Sequence, residues 1–125
     1  MRIQLTGDVH APAVAREFVR RQLRDVLARG QRPVCDDVEL IVSELVTNSV
    51  RAGASVIDLM LQVLSEAVEV QVTDDAAGWP TPRSAGPDGV DGRGLEIVER
   101  LADHWHTVAS PPGKRVVVTR GHQLT

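Results

Sequence analysis

Ser43-Glu44-Leu45-Val46-Thr47-Asn48-Ser49 lies inside an amphipathic helical pattern and sets two polar groups beside core positions. Glu44 and Asn48 are four residues apart, so they stand one above the other on a single helix face. Ile41 and Leu45 point toward a core. A carboxylate next to a carboxamide oxygen is a hard-oxygen pair, suited to Mg²⁺ and to orienting a hydroxyl or a water. The same spacing occurs on many solvated helices, so the pair alone does not make a site.

Two later segments supply what the pair lacks. Val68-Glu69-Val70-Gln71-Val72-Thr73 alternates apolar and polar residues as a half-buried strand does, and runs into Asp74-Asp75-Ala76-Ala77-Gly78-Trp79-Pro80. An acidic residue at a strand end, followed by a turn of small residues, can accept a hydrogen bond from a ligand lying against the backbone. Further on, Gly92-Arg93-Gly94-Leu95-Glu96-Ile97-Val98 opens a helix with glycines. Its free backbone N–H groups and the positive end of its dipole suit a phosphate.

These three segments, in this order, resemble the boxes of the Bergerat (GHKL) ATP-binding fold shared by gyrase-type ATPases, Hsp90-type chaperones, histidine kinases and anti-sigma-factor serine kinases. Within that superfamily the chain is most similar to the small stand-alone anti-sigma kinase type of actinobacterial regulatory protein. The likeness runs from about Leu5 to Thr119. Ser43 to Asn48 matches the family's N box, Asp74 to Gly78 its first glycine box, and Gly92-Arg93-Gly94-Leu95 its second.

The resemblance implies ATP and Mg²⁺ as cofactors and a role for each matched residue. Asn48 would hold Mg²⁺ together with the phosphates, and Glu44 would orient, or take a proton from, the attacking hydroxyl of a protein serine. Asp74 would accept from the exocyclic amine of adenine, and Gly78 would let the base lie against the turn. The backbone of Gly92, Arg93, Gly94 and Leu95 would cradle the phosphates, with Arg93 as an added charge. The implied function is that of an ATP-binding, anti-sigma-factor-type regulatory protein, a serine/threonine-protein kinase phosphorylating an anti-anti-sigma partner. The alternative is a non-catalytic module that sequesters its partner and has a weak nucleotide site. Either way the implied partner is a sigma factor or a STAS-type anti-anti-sigma protein, and a homodimer is allowed. Three positions depart from the family pattern: Ala76 replaces the first glycine of its box, Ala52 a histidine after the N box, and Arg115 a threonine after Gly113-Lys114. They bear on how tightly ATP would be held.

Composition agrees with one domain over residues 1–125, of which 42% are hydrophobic. A net charge of -3 argues against direct nucleic-acid binding. Arg16, Arg20, Arg21, Arg24 and Arg29 gather on one predicted helix, but Glu17 and Asp25 dilute them, which makes a solvated or partner-facing surface. No run is apolar enough to span a bilayer, Asp58 and Gln62 breaking the best candidate. A lone Cys35 fits a reducing compartment, and the expectation is a cytoplasmic protein. His104 and His106 share a strand face without a third ligand, so structural roles are expected for them. The chain is too short to add a dimerisation helix with a phosphoacceptor histidine, which disfavours a histidine kinase.

The periodicities predict a strand over 1–6, a helix over 11–29 closed by Gly30, and a second helix from Pro33 to near Gly53. A hairpin follows over 55–73, then a lid-like loop over 79–91 rich in proline and glycine. A helix through Leu95, Val98 and Leu101 and strands over 105–109 and 115–120 complete the chain. The predicted fold is an α/β sandwich of order βααββαββ, with helices on one face of a mixed, mostly antiparallel sheet.

Overall fold

The computed structural model describes residues 1–77 and 90–122, with side chains throughout except at Leu27 and 90–94. The elements are β1 (Arg2–Thr6), α1 (Ala11–Gln22), α2 (Arg24–Ala28), α3 (Arg32–Arg51), β2 (Val56–Val63), β3 (Ala67–Asp74), α4 (Val90–Leu101), β4 (His104–Ser110) and β5 (Gly113–Gly121). The strands form one sheet in the order β1-β2-β3-β5-β4.

Among the described strands every pairing is antiparallel, where the sequence suggested a mixed, mostly antiparallel sheet. The reason lies in the last hairpin. β3 and β4, joined through α4, run in the same direction, but β5 folds back from β4 and takes the place between them.

Strict alternation gives the sheet one apolar face. Ile57, Leu59 and Leu61 of β2, Val68, Val70 and Val72 of β3, and Val116 and Val118 of β5 are all buried. α1 and α3 cover that face, and α3 contributes Val34, Val38, Ile41, Val42, Leu45 and Val46 to the common core. Each such side chain stabilises the fold by about 1.5–3 kcal/mol relative to exposure. The opposite face carries Asp58, Gln62, Glu69, Gln71, Thr73 and Arg115, with Arg2 pairing to Asp58 at 3.2 Å. The paired helices therefore have only one face to cover, and the expected one-sided arrangement holds.

The helix expected over 11–29 is broken at Leu23, where φ is -99° and ψ 14°. Buried positions Ala11, Ala15, Val19 and Leu23 recur every fourth residue. Such a stripe drifts by about 40° per step around a helix of 3.6 residues per turn. Val26, beyond the break, is buried as well. Cys35, half-buried near the start of α3, reaches across with its thiol 3.8 Å from the Leu23 carbonyl, and burial pushes that thiol above its ordinary pKa.

No helix among the described residues is long and apolar enough to cross a membrane.

Asp75 ties the end of β3 to the start of β2: its Oδ1 accepts the N–H of Ser55 at 2.8 Å and of Val56 at 3.2 Å. These bonds, Val56 first and Ser55 second, hold its carboxyl below the usual value of 3.8. A depressed pKa in the folded state contributes stability that is present above the unfolded value and is lost as pH falls through the folded one. Asp75→Asn is therefore expected to lower the melting temperature slightly at neutral pH, with the two melting curves converging as the pH falls below the ordinary aspartate range.

Candidate functional site

The second half of α3 delivers the first half of the site. Pro33 in the first turn presets the helical φ, and Gly53, at φ +90°, turns the chain away after the last helical residue. Between them Leu45, Val46 and Ser49 face inward, while Glu44 and Asn48 lie half-buried beside them, one turn apart. Glu44 has no hydrogen-bond or ion-pair partner among the described residues. The Oδ1 of Asn48 is buried and likewise unpartnered. A buried acceptor without a donor costs about 1–3 kcal/mol, so such an atom marks a place meant for a donor or a cation.

The second half is a buried ionic cluster at the far end of the sheet. Asp74 ends β3 directly opposite Lys114 of β5. Lys114 Nζ donates to Asp74 Oδ2 at 2.9 Å and to Oδ1 at 3.1 Å. Ser49 Oγ, on α3 next to Asn48, donates to Oδ2 at 2.5 Å, and the Ala76 N–H donates to Oδ1 at 3.1 Å. The two charged side chains are only 1% and 6% exposed. Gly113 makes the pairing this close, because a Cβ there would overlap the backbone carbonyl of Asp74. α3, β3 and β5 thus meet at one point, with the orphan oxygen of Asn48 adjoining the residue that bonds Asp74.

The model of the histidine kinase-like ATPase domain matches residues 9–120. The chain belongs to that family. Domains of the family bind ATP, usually with Mg²⁺. The fold is similar to the histidine kinase domain from the Erythrobacter litoralis EL346 blue-light activated histidine kinase, at a TM-score of 0.52 and 23% identity over 70% of this chain. This chain spans 44% of that one, less than half its length. No curated protein matches the sequence.

The remaining expected residues of this histidine kinase-like ATPase domain are distributed unevenly around the cluster. Gly78 and the lid-like loop lie outside the described residues, apart from Val90 and Asp91, which are helical. α4 begins at Val90, so Gly92, Arg93 and Gly94 fall within its first turns rather than ahead of it. Backbone N–H groups in a first turn lack intrahelical acceptors, and α4 packs against α3. Leu95 is buried, 1% exposed as a whole residue, which commits it to packing.

Of the three departures, Ala76 is buried and bonds Asp74 through its N–H, while Ala52 is exposed at the end of α3. Arg115 is on the other side of the sheet, its Nε 3.1 Å from Thr73 Oγ1. The residue of this hairpin that faces the cluster is Lys114, one position earlier. His104 and His106 are exposed on β4, and the described residues contain no group of three or more potential metal-ligating His, Cys, Asp or Glu side chains.

Sequence reasoning missed Ser49 and Lys114. Ser49 follows Val38, Ile41, Val42 and Leu45 on the buried stripe of α3, a hydroxyl where an apolar residue belongs. Lys114 is the single lysine in the chain, and it precedes the buried Val116 and Val118 by even steps.

The site fits a nucleotide at one end and resists it at the other. Asn48 offers an oxygen free to join Mg²⁺ or an ordered water among phosphates. Asp74 offers none, because both of its oxygens already accept two hydrogen bonds.

Proposed function

We propose that the chain is an ATP- and Mg²⁺-binding regulatory protein of the anti-sigma-factor type, a serine/threonine-protein kinase whose acceptor is a STAS-type anti-anti-sigma partner in the cytoplasm. The observation that carries the nucleotide reading is the buried, unpartnered Oδ1 of Asn48, one turn after Glu44, which has no partner among the described residues. In this reading Asn48 holds the metal on the phosphates and Glu44 orients the acceptor hydroxyl. The phosphates rest on the first turns of α4. Phosphoryl transfer is mostly positioning and charge stabilisation, so one carboxylate and one metal suffice.

The non-catalytic, partner-sequestering module is the second reading, and the engagement of Asp74 by Lys114 favours it, since that contact weakens base recognition.

Asn48→Ala tests the metal assignment. It is expected to abolish the Mg²⁺ dependence of nucleotide binding while leaving the apoprotein as stable or slightly more so, because the variant removes a buried acceptor that has no donor. Melting curves with and without Mg-ATP measure both effects. A large loss of apo stability would show that Asn48 serves packing instead.

A further inference from the structure

We propose that Lys114 sets nucleotide affinity and base selectivity at this site: its ammonium holds the place before Asp74 that the exocyclic amine of adenine would need. The proposal rests on the nucleotide reading above and concerns which group Asp74 serves.

An ionised carboxylate has about four lone-pair positions. In Asp74 all four are taken, two by Lys114, one by Ser49 and one by the Ala76 N–H. The Asp74 side chain is 1% exposed, so no direction remains open to a fifth donor. Lys114 is fixed there by construction. It stands opposite Asp74 in the β3–β5 register, and Gly113 beside it admits the close strand approach.

An adenine amine is a neutral donor, whereas Lys114 donates with a full charge from a dry site. Either bond to the carboxylate is charge-assisted, but the ammonium adds the attraction of a full opposite charge in a weakly screened site. To seat adenine on Asp74, the ammonium must leave and find another partner. Nucleotides therefore bind this protein weakly, and adenine and guanine are poorly distinguished, because the carboxylate that would tell an amine from a carbonyl is already answered. Losing one hydrogen bond to a charged group corresponds to about tenfold to a hundredfold in affinity, which is the handicap Lys114 imposes on adenine.

The experiment is calorimetry of the 125-residue chain with Mg-ADP and Mg-GDP, on the wild type, Lys114→Met and Lys114→Thr. The wild type is expected to bind both weakly with little preference, and the folded variants to gain about tenfold or more for Mg-ADP alone. A wild type that binds Mg-ADP tightly and selectively, unchanged by either substitution, overturns the role of Lys114 and leaves the nucleotide reading standing. Folded variants and wild type that bind neither nucleotide at millimolar concentration overturn both.

A second readout needs no variant. Because Lys114 is the only lysine, protein grown with ¹⁵N-ε-lysine gives a single side-chain ammonium signal. Saturating Mg-ADP is expected to leave that signal near its apo position, because the ammonium stays on Asp74. A signal that moves to that of a free lysine ammonium with Mg-ADP bound, but not with Mg-GDP, overturns the proposal.

Discussion

Lys114→Met is expected to lower the melting temperature of the apoprotein by roughly 10–20 °C, one of the two largest effects that follow from this structure. Removing one member of a buried ion pair costs about 3–5 kcal/mol, because it strands the other charge away from water. For a domain of 125 residues each kcal/mol corresponds to roughly 3–5 °C. The stranded charge is that of Asp74, which keeps only the Ser49 hydroxyl and the Ala76 N–H. The double variant Asp74→Asn/Lys114→Met removes both charges and is expected to regain most of the loss. The two sites then fail additivity by several kcal/mol, as partners in one contact do. Thermal melts of the wild type, both single variants and the double variant close the cycle. Additive losses would show that the pair contributes little and that Lys114 packs chiefly through its aliphatic stem.

The same residue shows what was legible in the sequence and what was not. The α/β architecture was readable because Ile57, Leu59 and Leu61, then Val68, Val70 and Val72, alternate without interruption, and the apolar positions of α3 repeat at helical spacing. Period-two alternation fixes which side chains share a face. The same rule, carried into β5, puts Lys114 with Val116 and Val118 on the buried face and Arg115 on the open one. A single step along a strand exchanges the two faces, which is why the departure at Arg115 points away from the cluster while its neighbour Lys114 enters it.

Leu23 was illegible for a different reason. Neither glycine nor proline marks the break between α1 and α2, so no residue type announces it. The antiparallel pairing of β3 with β5 was also out of reach, since order within a sheet depends on which hairpin inserts where. The roles of Glu44, Asn48 and Asp74 came from resemblance, and what the structure adds is chemical: an oxygen without a donor at Asn48, and a carboxylate with no lone pair to spare at Asp74.

Glu44→Gln is expected to leave nucleotide binding near the wild-type level while transfer of labelled phosphate from ATP to a STAS-type acceptor falls by about 10²–10⁴, the usual weight of a positioned base. The substitution keeps the size and shape of the side chain and removes only its charge. Glu44 is half-buried and bonds no other described residue, so the change breaks no contact there, and apo stability should move little. Asn48, one turn further along α3, retains its oxygen for the metal, which is why binding and turnover separate in this variant. Calorimetry with Mg-ADP and a transfer assay, run on the same preparations, read the two quantities independently. If the wild type holds its partner but transfers no phosphate, and Glu44→Gln holds it equally well, the kinase reading fails and the sequestering module stands. The closed Asp74–Lys114 pair gives that outcome its physical basis, because a nucleotide seated without its base contact is held loosely and positioned poorly for in-line attack.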